Sequence, residues 1–244
     1  MPMMRIDKLL SQSGFGSRKE VKGILKQGLV RIDGEIVKRP ESKVNPEAAE
    51  IYVNDDLIEY EKYVYLMMNK PDGVISATVD DEETTVCDLL EYKYQWSDIF
   101  PVGRLDKDTV GLLILTNDGI FAHRSLSPKK HVDKVYYAKV NGTVTIDDAE
   151  IFNTGITLDD GYVCKPAALE ILSSGQGESE IKLTIHEGKF HQVKRMFEAL
   201  GHKVTYLKRT AFAGLELDES LAPGEYRKLN ADEMGKIANL ISKD

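Results

Sequence analysis

The sequence predicts an α+β protein in two parts, one covering residues 1–58 and a larger one covering 63–244. Three observations carry this reading. Helical and strand-like runs mix along the chain without the regular alternation of a doubly wound parallel sheet. Two short alternating runs, Leu29–Ile32 and Glu35–Val37, flank Asp33-Gly34, the dipeptide that favours a two-residue hairpin turn. The polar, acidic stretch Asn54–Lys62 separates the hairpin from a fresh apolar run.

In the first part, Arg5–Ser13 places Ile6, Leu9 and Leu10 at helical spacing until Gly14 and Gly16 interrupt it. Ser17-Arg18-Lys19-Glu20 is a capping box, in which the serine oxygen takes a free backbone N–H and the glutamate reaches back. The helix beyond it turns Val21, Ile24 and Leu25 inward and stops at Gly28. The hairpin comes next, and Glu50–Val53 closes the module. In the second part, Tyr63–Met68 reads as a strand and Asn69–Gly73 as a turn. Asp80–Glu83 reads as a solvated loop and Thr85–Leu90 as a short helix. Leu112–Leu115 is a buried strand, with Asn117-Asp118-Gly119 after it as a turn. Val135–Val140 and Ile181–Ile185 are strands, and Gln192–Leu200 is a helix ended by Gly201.

Composition is that of a soluble globular protein, with 42% hydrophobic and 30% charged residues. No stretch approaches the ~18–20 apolar residues that span a bilayer. Only Cys87 and Cys164 are present, so no disulfide framework is expected and a reducing cytoplasm is the default. The net charge of −8 argues against nucleic acid until its distribution is considered. Residues 1–39 carry a balance of +5, and residues 41–98 a balance of −11. Basic excess returns over 103–139 and 187–209. Acid gathered in one block leaves the other segments free to form basic surfaces, and a polyanion responds to local potential.

The stretch GRLDKDTVGLLILTNDG (103–119) sets Asp106 just ahead of a core strand, between Arg104 and Lys107. If the segment is extended, Asp106 and Asp108 project to one side, ~6.5–7 Å apart. A glycosidase acid needs an apolar pocket to raise its pKa, and the basic neighbours here favour the charged form. The reading preferred is a single ionised Asp held by a basic neighbour. His186 and His191 are five residues apart around Gly188, unlike the four-residue helical spacing of zinc proteases, so no metal site is expected. No phosphate-cradling G-x-x-x-x-G-K-[ST] loop is present. In the N-terminal part, Lys19, Lys22 and Lys26 share one helix face opposite the apolar one, with Arg5, Lys8 and Arg18 beside them.

The segment RIDKLLSQSGFGSRKEVKGILKQGLVRIDGEIV resembles the S4 RNA-binding domain. That resemblance implies phosphate contacts to structured RNA, through Arg5, Lys8, Arg18, Lys19 and Lys22. GRLDKDTVGLLILTNDG is similar to the signature of the pseudouridine synthases, which implies that Asp106 is catalytic. LMMNKPDGV (66–74) resembles their first catalytic-domain motif and brings in Asn69 and Lys70. KVYYAKV (134–140) resembles the tyrosine motif, with Tyr136 in its place. EGKFHQVKRMFEALGH (187–202) resembles the C-terminal basic motif, with Lys194 in the basic position and Arg195 after it. A lysine there, where many relatives have arginine, keeps the charge but loses the bidentate fork. Arg104 is a candidate for holding RNA phosphate or tuning Asp106, or for a simple ion pair. Arg124, Lys129 and Lys130, with Arg104 and the later Lys189, Lys194, Arg195, Lys203, Lys208 and Arg209, are candidates for the basic lining of an RNA cleft.

The resemblance is to the subset that modifies ribosomal RNA and carries an N-terminal S4 domain. It implies small-subunit rRNA as partner, with large-subunit rRNA the alternative; a mainly antiparallel sheet is expected in the second domain, and a cytoplasmic monomer is the default. Turning uridine into pseudouridine breaks the C1′–N1 bond, rotates the base and rejoins it through C5. Nothing is oxidised, so no cofactor or metal is expected. The Asp must be ionised, to attack C1′ or to take a proton from C2′, and the sequence leaves both open. The base must leave its stack, and a tyrosine ring can lie against it. Two rival classes are a non-catalytic RNA-binding assembly factor, which predicts a lost Asp or Tyr, and a base-excising hydrolase, which predicts that Asp108 matters as much as Asp106.

Overall fold

The protein's structure, a computed structural model, describes residues 3–127, 130–175 and 177–242. It divides into two compact units. One holds the chain up to Val64 together with Cys87–Phe100, and the other holds Tyr65–Val86 and everything from Pro101 on.

In the first unit, Ile6–Leu10 is helical and runs into a π-helical turn, Ser11–Phe15, which bends at Gly14 (φ 89°). The Ser17 capping box is present: Ser17 N–H donates to Glu20 Oε2 at 2.7 Å, and Glu20 N–H donates to Ser17 Oγ at 3.3 Å. It starts the helix Arg18–Lys26, whose C-terminus is closed by Gly28 at φ 77°. The strands Val30–Ile32 and Glu35–Ile36 form the expected hairpin, with positive φ at both Asp33 and Gly34. Ile51–Val53 pairs on the other side of Val30–Ile32. Ile6, Leu9, Leu10, Val21, Leu25 and Val30 close the core, each such side chain being worth about 1.5–3 kcal/mol of burial. The segment Cys87–Phe100 belongs here through real contacts. Ser97 Oγ donates to the Gln12 carbonyl at 2.8 Å, Gln12 Nε2 donates to Asp98 Oδ2 at 3.0 Å, and Tyr92 donates to Glu20 at 3.0 Å.

The second unit is one sheet with helices. Across it run Ala168–Gly175, Glu178–Ile185, Lys134–Asn141, Lys203–Phe212, Val110–Thr116, Tyr65–Lys70 and Tyr226–Lys228. All neighbours along this path are antiparallel except Lys203–Phe212 against Val110–Thr116. Tyr65–Lys70 and Leu112–Leu115 are buried throughout, as a central strand pair covered on both faces must be.

Two expectations fail locally and a third holds only in part. Asn69 and Lys70 are the last residues of a strand, and the chain turns only after Lys70. Thr85–Leu90 is not helical: Thr85 is fully buried and makes a parallel bridge to Ile75, and its β-branched side chain suits that extended role. Asn117-Asp118-Gly119 turns the chain only as the entry to a helix. Asp118 caps the helix Gly119–Leu126, its Oδ1 accepting from Ile120 N–H at 2.9 Å and Phe121 N–H at 3.2 Å. Asp and Asn serve turns and N-caps by the same local hydrogen bond, so the residue type alone does not decide.

Candidate active site

The site lies where the two parallel strands meet. Gly111 faces Arg209 across that pair and Lys70 across the other. At φ 100°, with a Cβ there overlapping the Arg209 backbone, only glycine fits. The loop carrying Asp106 leads into this strand and is pinned from three directions. Ser76 Oγ donates to the Leu105 carbonyl and accepts from Leu105 N–H, both at 3.0 Å. Gly73 N–H donates to the Lys107 carbonyl at 3.0 Å. The fully buried Lys70 donates to the carbonyls of Pro71, Lys107 and Thr109 at 3.0, 3.1 and 2.9 Å. Burial pulls the Lys70 ammonium down to about 8, opposed by Asp72, Asp108 and Asp106. Lys70 is therefore a clamp on the loop that carries Asp106.

Asp106 and Asp108 sit in a turn, closed by Thr109 N–H to the Asp106 carbonyl at 3.0 Å, rather than in extended chain. Both nevertheless face Lys194, on the helix Gln192–Glu198. Lys194 Nζ is 3.4 Å from Asp106 Oδ2 and 2.5 Å from Asp108 Oδ1. The Lys194 hydrogen bond holds Asp108 below the usual carboxylate range. The basic neighbour of Asp106 is thus Lys194, with His191 Nε2 at 3.7 Å from Oδ1. It is neither of the residues flanking it in sequence. Lys107 pairs with Glu83 at 2.6 Å, and Arg104 is exposed, with no hydrogen bond or ion pair among the described residues.

Asp106 opens onto a cleft of about 890 Å³. Tyr136, 7% exposed, forms part of its wall beside Arg209 in the sheet register. Arg209 is enclosed, donates through Nε to the Leu112 carbonyl at 2.8 Å, interacts with the Tyr136 side chain and lies over Phe212 at 4.7 Å. Burial holds its guanidinium below its ordinary range, with Tyr136 opposing the shift. Lys134 is nearly buried beside it and is pulled down to about 8, by burial first and by Arg209 second.

The far wall is the loop 187–191. Buried Glu187 organises it, accepting from Tyr162 Oη at 2.7 Å, Lys165 N–H at 3.0 Å and Gln192 Nε2 at 2.8 Å. Burial alone would raise the Glu187 carboxyl, but these donors outweigh it and hold it low.

Several sequence-predicted positions do other work. Arg195 is held by Asp159 and by Asp160 Oδ2 at 2.7 Å, away from Asp106. Asn69 Nδ2 donates to the Leu221 carbonyl at 2.8 Å. Arg124 donates to the Ile241 carbonyl near the end of the helix Ala231–Ser242. Pro128 and Lys129 lie outside the described residues. His186 Nδ1 lies 2.9 Å from Asp133 Oδ1, so the two histidines of the HEGKFH stretch face different carboxylates. In the first unit, Arg18, Lys19, Lys22 and Lys26 are exposed on one helix and Lys8 is half-buried. Arg5 is engaged in a bidentate pair with buried Asp7, at 2.9 and 2.8 Å. His191, Lys134 and Glu187 were not picked out as site residues by sequence, and Arg209 was named only among basic residues lining an RNA cleft, which it does from inside the wall. A charged residue in step with apolar ones on one strand face, as Arg209 is with Leu207 and Ala211, is the signal that marks such a position.

A family profile described as RNA pseudouridylate synthase matches residues 64–199, and one described as S4 domain matches residues 4–49. An uncharacterized RNA pseudouridine synthase of Bacillus subtilis (strain 168) is 49% identical over 95% of this chain and 97% of its own. Ribosomal small subunit pseudouridine synthase A of Escherichia coli (strain K12) is 38% identical over 96% of this chain and 100% of its own. Ribosomal large subunit pseudouridine synthase B of Bacillus subtilis (strain 168) is 40% identical over 98% of this chain and 97% of its own. A solved crystal structure of a pseudouridylate synthase superposes with a TM-score of 0.67 at 38% identity, covering 96% of this chain and 99% of that one.

Proposed function

Because the chain belongs to the RNA pseudouridylate synthase family, with an S4 domain ahead of the synthase domain, we propose that it isomerises one uridine of ribosomal RNA to pseudouridine and that Asp106 is its catalytic residue. One observation carries this reading. A half-buried carboxylate, 3.4 Å from an ammonium group, opens onto a cleft wide enough for a nucleoside, with a tyrosine in its wall. Lys194 favours the charged form of Asp106, which both routes need, attack at C1′ and removal of the C2′ proton. In either route C1′–N1 breaks, C1′–C5 forms and the C5 proton leaves to water. Tyr136 lies against the flipped uracil, with Arg209 holding its side chain in place. Arg104, without a protein partner, takes a phosphate of the substrate strand. The exposed Arg18, Lys19 and Lys22 take phosphates of a structured region, so the S4 domain positions while the synthase domain reacts. The enzyme works as a cytoplasmic monomer without cofactor or metal.

Small-subunit rRNA is the preferred substrate, on the resemblance of His123-Arg124, Ser127-Pro128 and HQVKRMF (191–197) to synthases that act on that RNA. Large-subunit rRNA is the second reading, favoured by the relative at 40% identity. Tritium release from 5-tritiated uridine separates them. Wild-type protein and Asp106→Asn are incubated with each rRNA transcript and with partly assembled subunits. Release from one RNA, absent in the variant, establishes reaction and substrate together, and release from none overturns the reading.

A further inference from the structure

The cleft presents an apolar group that the chemistry at Asp106 does not use. Phe190 is 75% exposed at its rim, where a phenyl ring gains little from burial. Its neighbour His191 has a left-handed backbone, φ 48°, and the two rings are stacked, centroids 3.8 Å apart and planes 18° from parallel. The imidazole that backs the phenyl also reaches Asp106, so the exposed ring stands one ring away from the reacting carboxylate.

The loop that carries it is built to stay in place. Besides the Glu187 network, Gln192 Oε1 accepts from Lys189 N–H at 2.8 Å, and Lys189 in turn lies over the Tyr162 ring at 4.6 Å. Arg195, anchored on Asp159 and Asp160, reaches the Phe190 carbonyl at 3.5 Å. A flat ring held rigidly in water, with Lys189 beside it and Lys194 beyond, suits a partner that is flat and carries negative charge. Nucleotides of an RNA strand have both properties, the flat base and the charged phosphate beside it.

We infer that Phe190, backed by His191, is a stacking platform for the nucleobase next to the target uridine, a second subsite of the same cleft. This rests on the proposed action on rRNA. Tyr136, in the wall of the cleft, serves the base that leaves the strand. The base that stays beside it needs a face at the rim, and Phe190 supplies one.

The probe is a short RNA with a single uridine flanked on both sides by 2-aminopurine, whose fluorescence falls on stacking, paired with the same RNA abasic at the flanking positions. Wild-type protein quenches the fluorophore and binds the intact RNA roughly five- to a hundredfold more tightly than the abasic one. Phe190→Ala, at an exposed position, stays folded by circular dichroism and loses both differences. Phe190→Trp keeps them, and Phe190→Leu, apolar without a π face, does not. If Phe190→Ala still separates the two RNAs as wild type does, or Leu replaces Phe fully, the platform is overturned. Tritium release from an rRNA transcript keeps the two failures apart. Release unchanged in Phe190→Ala, with the two RNAs still separated as by wild type, sinks the platform alone. A silent wild type sinks the rRNA reading, while the binding comparison still decides the platform.

Discussion

Asp106 and Lys194 stand 3.4 Å apart, while the same ammonium sits closer to Asp108, at 2.5 Å. The cation is shared, and the two carboxylates are not equivalent. Asp108 is the more exposed of the two and is held low by that hydrogen bond, whereas Asp106 opens onto the cleft. Asp106→Asn is expected to lower turnover at least about a thousandfold with RNA affinity within a few fold, as for a group acting only in the reaction. Asp108→Asn leaves Lys194 to Asp106 and keeps turnover within about tenfold. Single-turnover tritium release with both variants checks this. Equal damage from both would favour a chemistry built on paired carboxylates.

Gly111 is where the parallel strands come closest to the site. Gly111→Ala sets a Cβ against the Arg209 backbone at a φ that side chains rarely adopt, and is expected to cost at least about 2 kcal/mol. The loss is read as a lower denaturation midpoint. A midpoint unchanged from wild type would show that the two strands separate easily.

Arg209 has few partners for a wholly enclosed cation, and Tyr136 is one of them. Tyr136→Phe leaves the guanidinium short of an acceptor, for an expected loss of about 1–3 kcal/mol. Tyr136→Leu also removes the aromatic face offered to uracil. Turnover should therefore fall further in Leu than in Phe, and chemical denaturation of both variants beside their kinetics separates the two effects.

Lys70 and Lys134 are both pulled down to about 8 by burial, against about 10.4 in an unfolded chain. Above pH 8 the folded protein has released protons that the unfolded chain still holds, so stability rises with pH. The thiols of Cys87 and Cys164, pushed up to about 11 from 9.0, act in the opposite sense once the unfolded thiols ionise. The rise therefore falls between about pH 8 and about pH 9, at no more than about 1.4 kcal/mol per pH unit for each proton. Lys70→Met removes one of the two protons and flattens the slope. Urea denaturation across that interval checks it, and an identical slope in the variant would mean that Lys70 keeps its charge.

What could be read from the sequence was what neighbours in sequence decide. The Ser17–Glu20 box and the Asp33-Gly34 turn involve residues at most three apart, and both formed as expected. Asp106, Tyr136 and Lys194 were picked out by motif; the structure brings Asp106 and Tyr136 to one cleft and sets Lys194 against Asp106. The partner of Asp106 was legible only through the motif that holds Lys194: the adjacent Arg104 and Lys107 make no pair with it, and the charge beside it arrives from a helix far along the chain. Lys70 was taken for a turn residue because a lysine seldom ends a buried strand. What makes it tolerable is a set of carbonyls from residues 71, 107 and 109, which only the folded loop assembles. His191 was weighed as a metal ligand, since nothing local announces a carboxylate beside it or the ring stacked on its face.

The placement of Cys87–Phe100 with the N-terminal helices bears on how this protein could be taken apart or inherited. The chain passes between its two units three times, after Val64, after Val86 and after Phe100, so no single cut yields two whole pieces. A fragment lacking residues 1–58 keeps Tyr92, Ser97 and Asp98 but loses Glu20 and Gln12, which they bond. The RNA anchor is therefore not a detachable leader. A recombination that moved it to another protein at residue 60 would leave part of its own surface behind, inside the enzyme.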